Sequence, residues 1–131
     1  MTGLVVVAHA GLAAELINAA EMIVGKIEGS AAVEIKPEDS VDQIRSALTA
    51  AIESVAAEDI IIMTDMFGGT PSNMSLSFLK ENRIEVLTGV NLPMLIRFAS
   101  DRAQCGVAEL AAHIRDTGRE GVTVAGDYLK K

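Results

Sequence analysis

Hydrophobic and polar positions along the chain switch between two periods. Leu4-Val5-Val6-Val7-Ala8 is a continuous apolar run, the pattern of a strand buried on both faces. Residues 12–24 then take helical spacing, with Leu12, Leu16, Ala19, Ala20 and Ile23 on one stripe and Gly25 as a stop. Residues 31–36 read as a weaker strand. Beyond Pro37 the stripe Val41, Ile44, Leu48, Ile52 and Val55 predicts a second helix, capped by Asp39 or Ser40. Residues 59–65, Asp-Ile-Ile-Ile-Met-Thr-Asp, form the clearest strand after the first. A turn follows at Gly68-Gly69-Thr70, and Pro71 after Thr70 marks a helix start whose apolar side is Met74, Phe78 and Leu79. Residues 84–88 are a further strand. Asn91-Leu92-Pro93 opens a short helix through Phe98, residues 107–116 form a helix stopped by Gly118, and residues 121–125 are a last short strand.

The order β-α-β-α-β-α-β-α-α-β calls for crossover connections between strands. The expected fold class is therefore α/β, an open and mainly parallel sheet. Right-handed crossovers place helices on both faces. The expected strand order is 2-1-3-4, which makes strands one and three neighbours. The final strand has no place in a regular β-α series.

Composition narrows this picture. The 131 residues suit one domain spanning 1–131. Half are hydrophobic, yet there is no Trp, one Tyr and three Phe, so the core must be aliphatic. Eighteen acidic residues against 11 basic ones give a formal charge of −7, which argues against nucleic acid or an anionic membrane as a partner. The one cysteine, Cys105, excludes an internal disulfide and a cage of cysteines around a metal. A reduced, cytoplasmic setting is expected. The run at residues 4–8 is too short to span a membrane and lacks a basic leader.

In an open parallel sheet, ligands sit beyond the carboxyl ends of the strands where strand order switches. Three loops then matter: Ala8-His9-Ala10-Gly11, the segment from Asp65 to Pro71, and Gly89-Val90-Asn91-Leu92-Pro93. With strands one and three adjacent, His9 and Asp65 end on the same rim. Asp65 can accept a hydrogen bond from Nδ1 of His9 and fix the tautomer, leaving Nε2 as an outward nucleophile. Gly68 and Gly69 permit a tight turn and close backbone approach, and Thr70 adds a hydroxyl beside helix amides that favour an anion. Taken singly these are ordinary features: a histidine after a strand, a turn aspartate, a glycine turn. Their convergence on one rim makes the case. His113 reads as a partly exposed helix histidine, Cys105 as an inert loop thiol with no histidine beside it, and the methionines as core filler.

These residues resemble the mannose-type enzyme IIA family of the phosphoenolpyruvate-dependent sugar phosphotransferase system. The matching blocks are Val-Val-Ala-His-Ala-Gly-Leu-Ala near the start, Asp65-Met66-Phe67-Gly68-Gly69-Thr70-Pro71-Ser72-Asn73, and Gly89-Val90-Asn91-Leu92-Pro93-Met94-Leu95, with Thr117-Gly118-Arg119-Glu120-Gly121-Val122 near the end. The resemblance implies that His9 accepts a phosphoryl group from the phosphocarrier protein HPr and passes it to an enzyme IIB partner. It implies that Asp65 orients the imidazole and that Gly68, Gly69 and Thr70 lie near the phosphoryl oxygens. It implies no metal and no organic cofactor. In that family the last strand is exchanged between two subunits, which would make this chain a homodimer. The family often carries an enzyme IIB domain on the same chain; here the enzyme IIB partner is expected to be a separate protein. A branch serving dihydroxyacetone phosphorylation uses a different turn after its aspartate, so Gly-Gly-Thr-Pro points to the mannose type.

Rival readings fit less well. A two-component receiver domain needs an acidic pair after the first strand to hold magnesium, and Ala8-His9-Ala10 supplies none. A nucleotide-binding enzyme would show a Gly-x-x-x-x-Gly-Lys-Ser/Thr loop or a Gly-x-Gly-x-x-Gly turn after a strand, and neither is present. The alternative that stands is a regulatory phosphoacceptor or partner-binding module of the same fold, uncoupled from sugar transport.

Overall fold

The initial apolar run forms β1 (Gly3–His9), and its residues 3–8 are all buried. In this computed structural model, which describes residues 1–66 and 70–129, β1 is joined by β2 (Ser30–Ile35), β3 (Ile60–Thr64) and β4 (Ile84–Thr88). The sheet order is β2-β1-β3-β4 and every pairing is parallel. The expected α/β class and 2-1-3-4 order are thus the observed ones. The helices are α1 (Leu12–Val24), α2 (Val41–Ser54), α3 (Thr70–Leu76), α4 (Leu92–Asp101), α5 (Val107–Glu120) and a single turn, α6 (Ala125–Tyr128).

Alternation along the strands divides the core in two. Leu4, Val6 and Ala8 of β1, with Ile61 and Met63 of β3, pack under α1, α4 and α5. Val5 and Val7, with Ile60 and Ile62, pack against Ile44, Leu48 and Ala51 of α2 and against Met74 and Phe78. β1 and β3 are therefore covered on both faces, which is why they read as unbroken apolar runs. Each fully buried Val, Leu or Ile contributes about 1.5–3 kcal/mol. Ser40 starts α2 with a capping box: its Oγ accepts from the Gln43 amide while the Gln43 side chain accepts from the Ser40 amide.

Four expectations need correction. The buried stripe of α1 is Ala13, Ile17 and Ala20, while Leu12 and Ile23 are exposed. Of the expected stripe, Ala20 is buried and Leu16 packs against the core; alanines at two of the three buried positions let the helix settle close to the sheet. α3 stops at Leu76, and Phe78 reaches the core from the following turn, whereas Leu79 is exposed. Gly118 does not stop α5. It lies inside the helix, buried, because a Cβ there would meet Met94 Cγ at 2.7 Å. The short strand expected at residues 121–125 is not formed within the chain. The Gly121 amide bonds back to Thr117 and Gly118, and that of Val122 to Arg119, so the first amides of the segment close α5 instead. Val122 and Val124 are left 77% and 68% exposed.

Candidate functional site

His9 is the last residue of β1, and Asp65 directly follows β3. The two strands are neighbours with Val7 opposite Thr64, so both side chains emerge at one rim, at the switch in strand order. Asp65 Oδ2 lies 2.7 Å from His9 Nδ1 and also accepts the His9 backbone N–H at 3.0 Å. One oxygen thereby holds both the ring and the main chain of His9. An ionised carboxylate can only accept, so Nδ1 carries the proton and Nε2 the free lone pair. The His9 side chain is 53% exposed and that of Asp65 only 13%. Burial pushes the Asp65 carboxyl up, but the amide, ring and charge of His9 outweigh it and hold the group below its ordinary 3.8. The acid stays ionised while the imidazole faces solvent.

Backbone geometry sets this arrangement. Ala10 takes a left-handed conformation, φ 52°, and its amide donates to Ile35 at the end of β2. The chain can then enter α1 directly, with Gly11 as its N-cap. A cleft of about 480 Å³ opens beside the ring, lined by His9, Ala10 and Thr70 together with Glu34, Lys36 and Asp39. Thr70, the first residue of α3, thus lines the same cleft as His9. Gly68 and Gly69, expected to bind the phosphoryl group, lie outside the described residues. The loop after β2 was not foreseen as part of the site, although Ile35 ends its strand on the same rim. Lys36 brings a positive charge to the cleft, and its amide is fixed by Asp39 Oδ2 at 2.8 Å.

The loop after β4 does not join the cleft. The Val90 amide donates to Thr64. Asn91 caps α4, its Oδ1 accepting from the Met94 amide at 3.3 Å and its Nδ2 donating to the Gly118 carbonyl at 2.9 Å. A separate cavity borders this loop, lined in part by Gly89, Arg115, Arg119 and Val122. Cys105 also departs from expectation, because it has a histidine beside it: its Sγ is 3.7 Å from His113 Nδ1. Burial and the negative charge of Glu109 and Asp101 push this thiol up.

The rim therefore offers an exposed ring nitrogen as a nucleophile, a partly buried carboxylate fixing the opposite nitrogen, and a lysine within the cleft to meet an anionic electrophile. Residues 3–115 match the family model EIIA-man, described as the PTS system fructose IIA component. The chain belongs to the EIIA-man family. Members and relatives match along most of it. The sorbose-specific EIIA component of Lacticaseibacillus casei is 30% identical over 96% of this chain and 92% of its own length. The fructose-specific EIIA component of Bacillus subtilis is 25% identical over 100% of this chain and 91% of its own. The mannose-specific EIIAB component of Escherichia coli is 31% identical over 93% of this chain, which spans 39% of that longer protein. Among solved structures, the mannose/sorbose-specific IIA subunit from Enterococcus faecalis superposes with a TM-score of 0.85 at 29% identity, covering 94% of this chain and 93% of that one. The EIIA component from Streptococcus agalactiae gives 0.88 at 26% identity, covering 97% and 99%. EIIA proteins are phosphotransferase components. Among the described residues of this EIIA-man chain, no helix is long and apolar enough to cross a membrane.

Proposed function

We propose that this chain is a phosphocarrier that takes a phosphoryl group from HPr onto Nε2 of His9 and hands it to an enzyme IIB protein. The observation that carries this reading is the 2.7 Å contact between His9 Nδ1 and Asp65 Oδ2 beneath an exposed ring. Nε2 attacks phosphorus in line. The new N–P bond forms as the N–P bond to the donor histidine breaks, and the donor nitrogen keeps the electron pair. The proton on Nδ1 stays where it is, held by Asp65, whose charge balances the positive charge gained by the ring. Transfer to enzyme IIB is the same step in reverse. Thr70 and the backbone of Gly68 and Gly69 would bind the phosphoryl oxygens, and no cofactor takes part. The working form is a cytoplasmic homodimer in which residues 121–125 add to the sheet of the partner subunit.

Incubation with phosphoenolpyruvate, enzyme I and HPr tests the chemistry. One acid-labile phosphate should appear on His9 by mass spectrometry, and none on His9→Ala. Labelling of His9→Ala at the native rate would reject the assignment, and label on His113 would relocate it.

A further inference from the structure

At the other end of the sheet, away from the rim that carries His9, four potential metal ligands recur at a spacing of four residues: Asp101, Cys105, Glu109 and His113. They do not lie on one helix. Asp101 ends α4, Cys105 sits in the connecting turn just before the N-cap Gly106, and Glu109 and His113 share a face of α5. The turn folds them together, and one ligand atom each from Cys105, Glu109 and His113 falls within 4.8 Å of the other two.

We propose that Cys105, Glu109 and His113 bind a divalent transition-metal ion of the zinc class, with solvent in the fourth position. The separation of sulfur and ring nitrogen suits tetrahedral coordination. With ordinary zinc–sulfur and zinc–nitrogen bond lengths, a thiolate sulfur and an imidazole nitrogen on one ion lie about 3.6 Å apart. Here Cys105 Sγ and His113 Nδ1 are 3.7 Å apart, and Asp101 Oδ2 lies 3.3 Å from the same nitrogen. The sulfur and the ring nitrogen could therefore meet an ion with little movement, and the Glu109 carboxylate would close on it from within 4.8 Å. The donor set selects the metal, since thiolate and imidazole favour zinc or cobalt over magnesium or calcium, which seek oxygen alone.

The surroundings agree. The His113 side chain is 43% exposed, which gives the ion a way in, while Asp101 is mostly covered. Asp101 is also steadied by Ser100 Oγ, which donates to Oδ1 at 2.9 Å, and by Arg97 at 3.5 Å from Oδ2. On binding, the Cys105 thiol gives its proton to solvent and the sulfur lone pair forms the bond to the metal. Because the ligands come from the connecting turn and α5, the ion would fasten the turn to the helix and raise thermal stability.

Zinc titration of the reduced, chelator-treated full chain by calorimetry tests this. One zinc per chain is expected at micromolar concentration, with a rise in Tm. Cobalt should bind with a thiolate charge-transfer band that Cys105→Ser removes. Cys105→Ser and His113→Gln should each weaken zinc by more than the ~10- to 100-fold typical of losing an outer-shell partner, with metal-free Tm close to that of the native chain. His9→Gln should leave binding unchanged. Absence of binding at micromolar zinc, undiminished binding by Cys105→Ser, or loss of binding in His9→Gln alone would overturn the proposal. Should His113→Gln lower the metal-free Tm, the cobalt spectrum of Cys105→Ser still decides.

Discussion

Asp65→Asn isolates the electrostatic part of the proposed phosphoryl-transfer step. In the native chain Oδ2 accepts from the His9 ring at 2.7 Å and from the His9 amide at 3.0 Å. An asparagine with its oxygen in that place can accept both bonds, so the ring remains oriented and what disappears is the negative charge. That charge matters when Nε2 bonds to phosphorus and the ring becomes cationic. Two unit charges 4 Å apart in an effective dielectric of 20 attract by about 4 kcal/mol. The half-exposed ring admits water and reduces this to roughly 3 kcal/mol, which corresponds to a rate loss of roughly a hundredfold. If the amide instead turns its NH2 toward Nδ1, the wrong tautomer is favoured and the loss moves toward ~10⁴-fold. Rapid-quench measurement of phosphoryl uptake from phosphorylated HPr reads this directly. A loss below about threefold would refute the argument, because no arrangement of the amide restores the charge. Stability gives an independent check with a definite sign. The Asp65 carboxyl is held below its ordinary value in the folded chain, so its contribution is present above the unfolded pKa and is lost as pH falls through the folded one. The stability difference between native chain and Asp65→Asn should be full at neutral pH and close in the region below about pH 4.

Two further outcomes follow from packing. Gly118→Ala should destabilise by about 1–2 kcal/mol in urea unfolding, because crowding against Met94 exceeds the gain in helix propensity; a more stable variant would show that Met94 yields freely. Removal of residues 121–131 should abolish the proposed homodimer in light scattering and cause instability or aggregation. A monomeric full-length chain at micromolar concentration, or a truncation that stays dimeric and equally stable, would reject strand exchange.

The sheet was legible because β1 and β3 are apolar at successive positions, which only strands covered on both faces can afford. The pairing of His9 with Asp65 followed from strand order alone. What local pattern could not convey was tertiary. The small alanines that bring α1 close to the sheet are less conspicuous than the exposed Leu12 and Ile23. Gly118 looks like a helix stop, whereas its missing side chain makes room for α4. Cys105 and His113 are eight residues apart, and only the turn into α5 brings sulfur and nitrogen together. Lys36 entered the site through the one rim loop that carried no glycine or histidine to mark it.

The placement of His9 and Asp65 on the two central strands also bears on fluctuations. Edge elements and short helices fray at little cost, whereas the amides of a strand paired on both sides exchange with solvent only in the rarest openings. β1 lies between β2 and β3, and β3 between β1 and β4. The His9 amide, at the end of β1 beyond its pairing with β3, is bound instead to the Asp65 side chain. The distance between the His9 ring and the Asp65 carboxylate should therefore survive excursions that unwind α6, because the two strands that carry them are paired with each other.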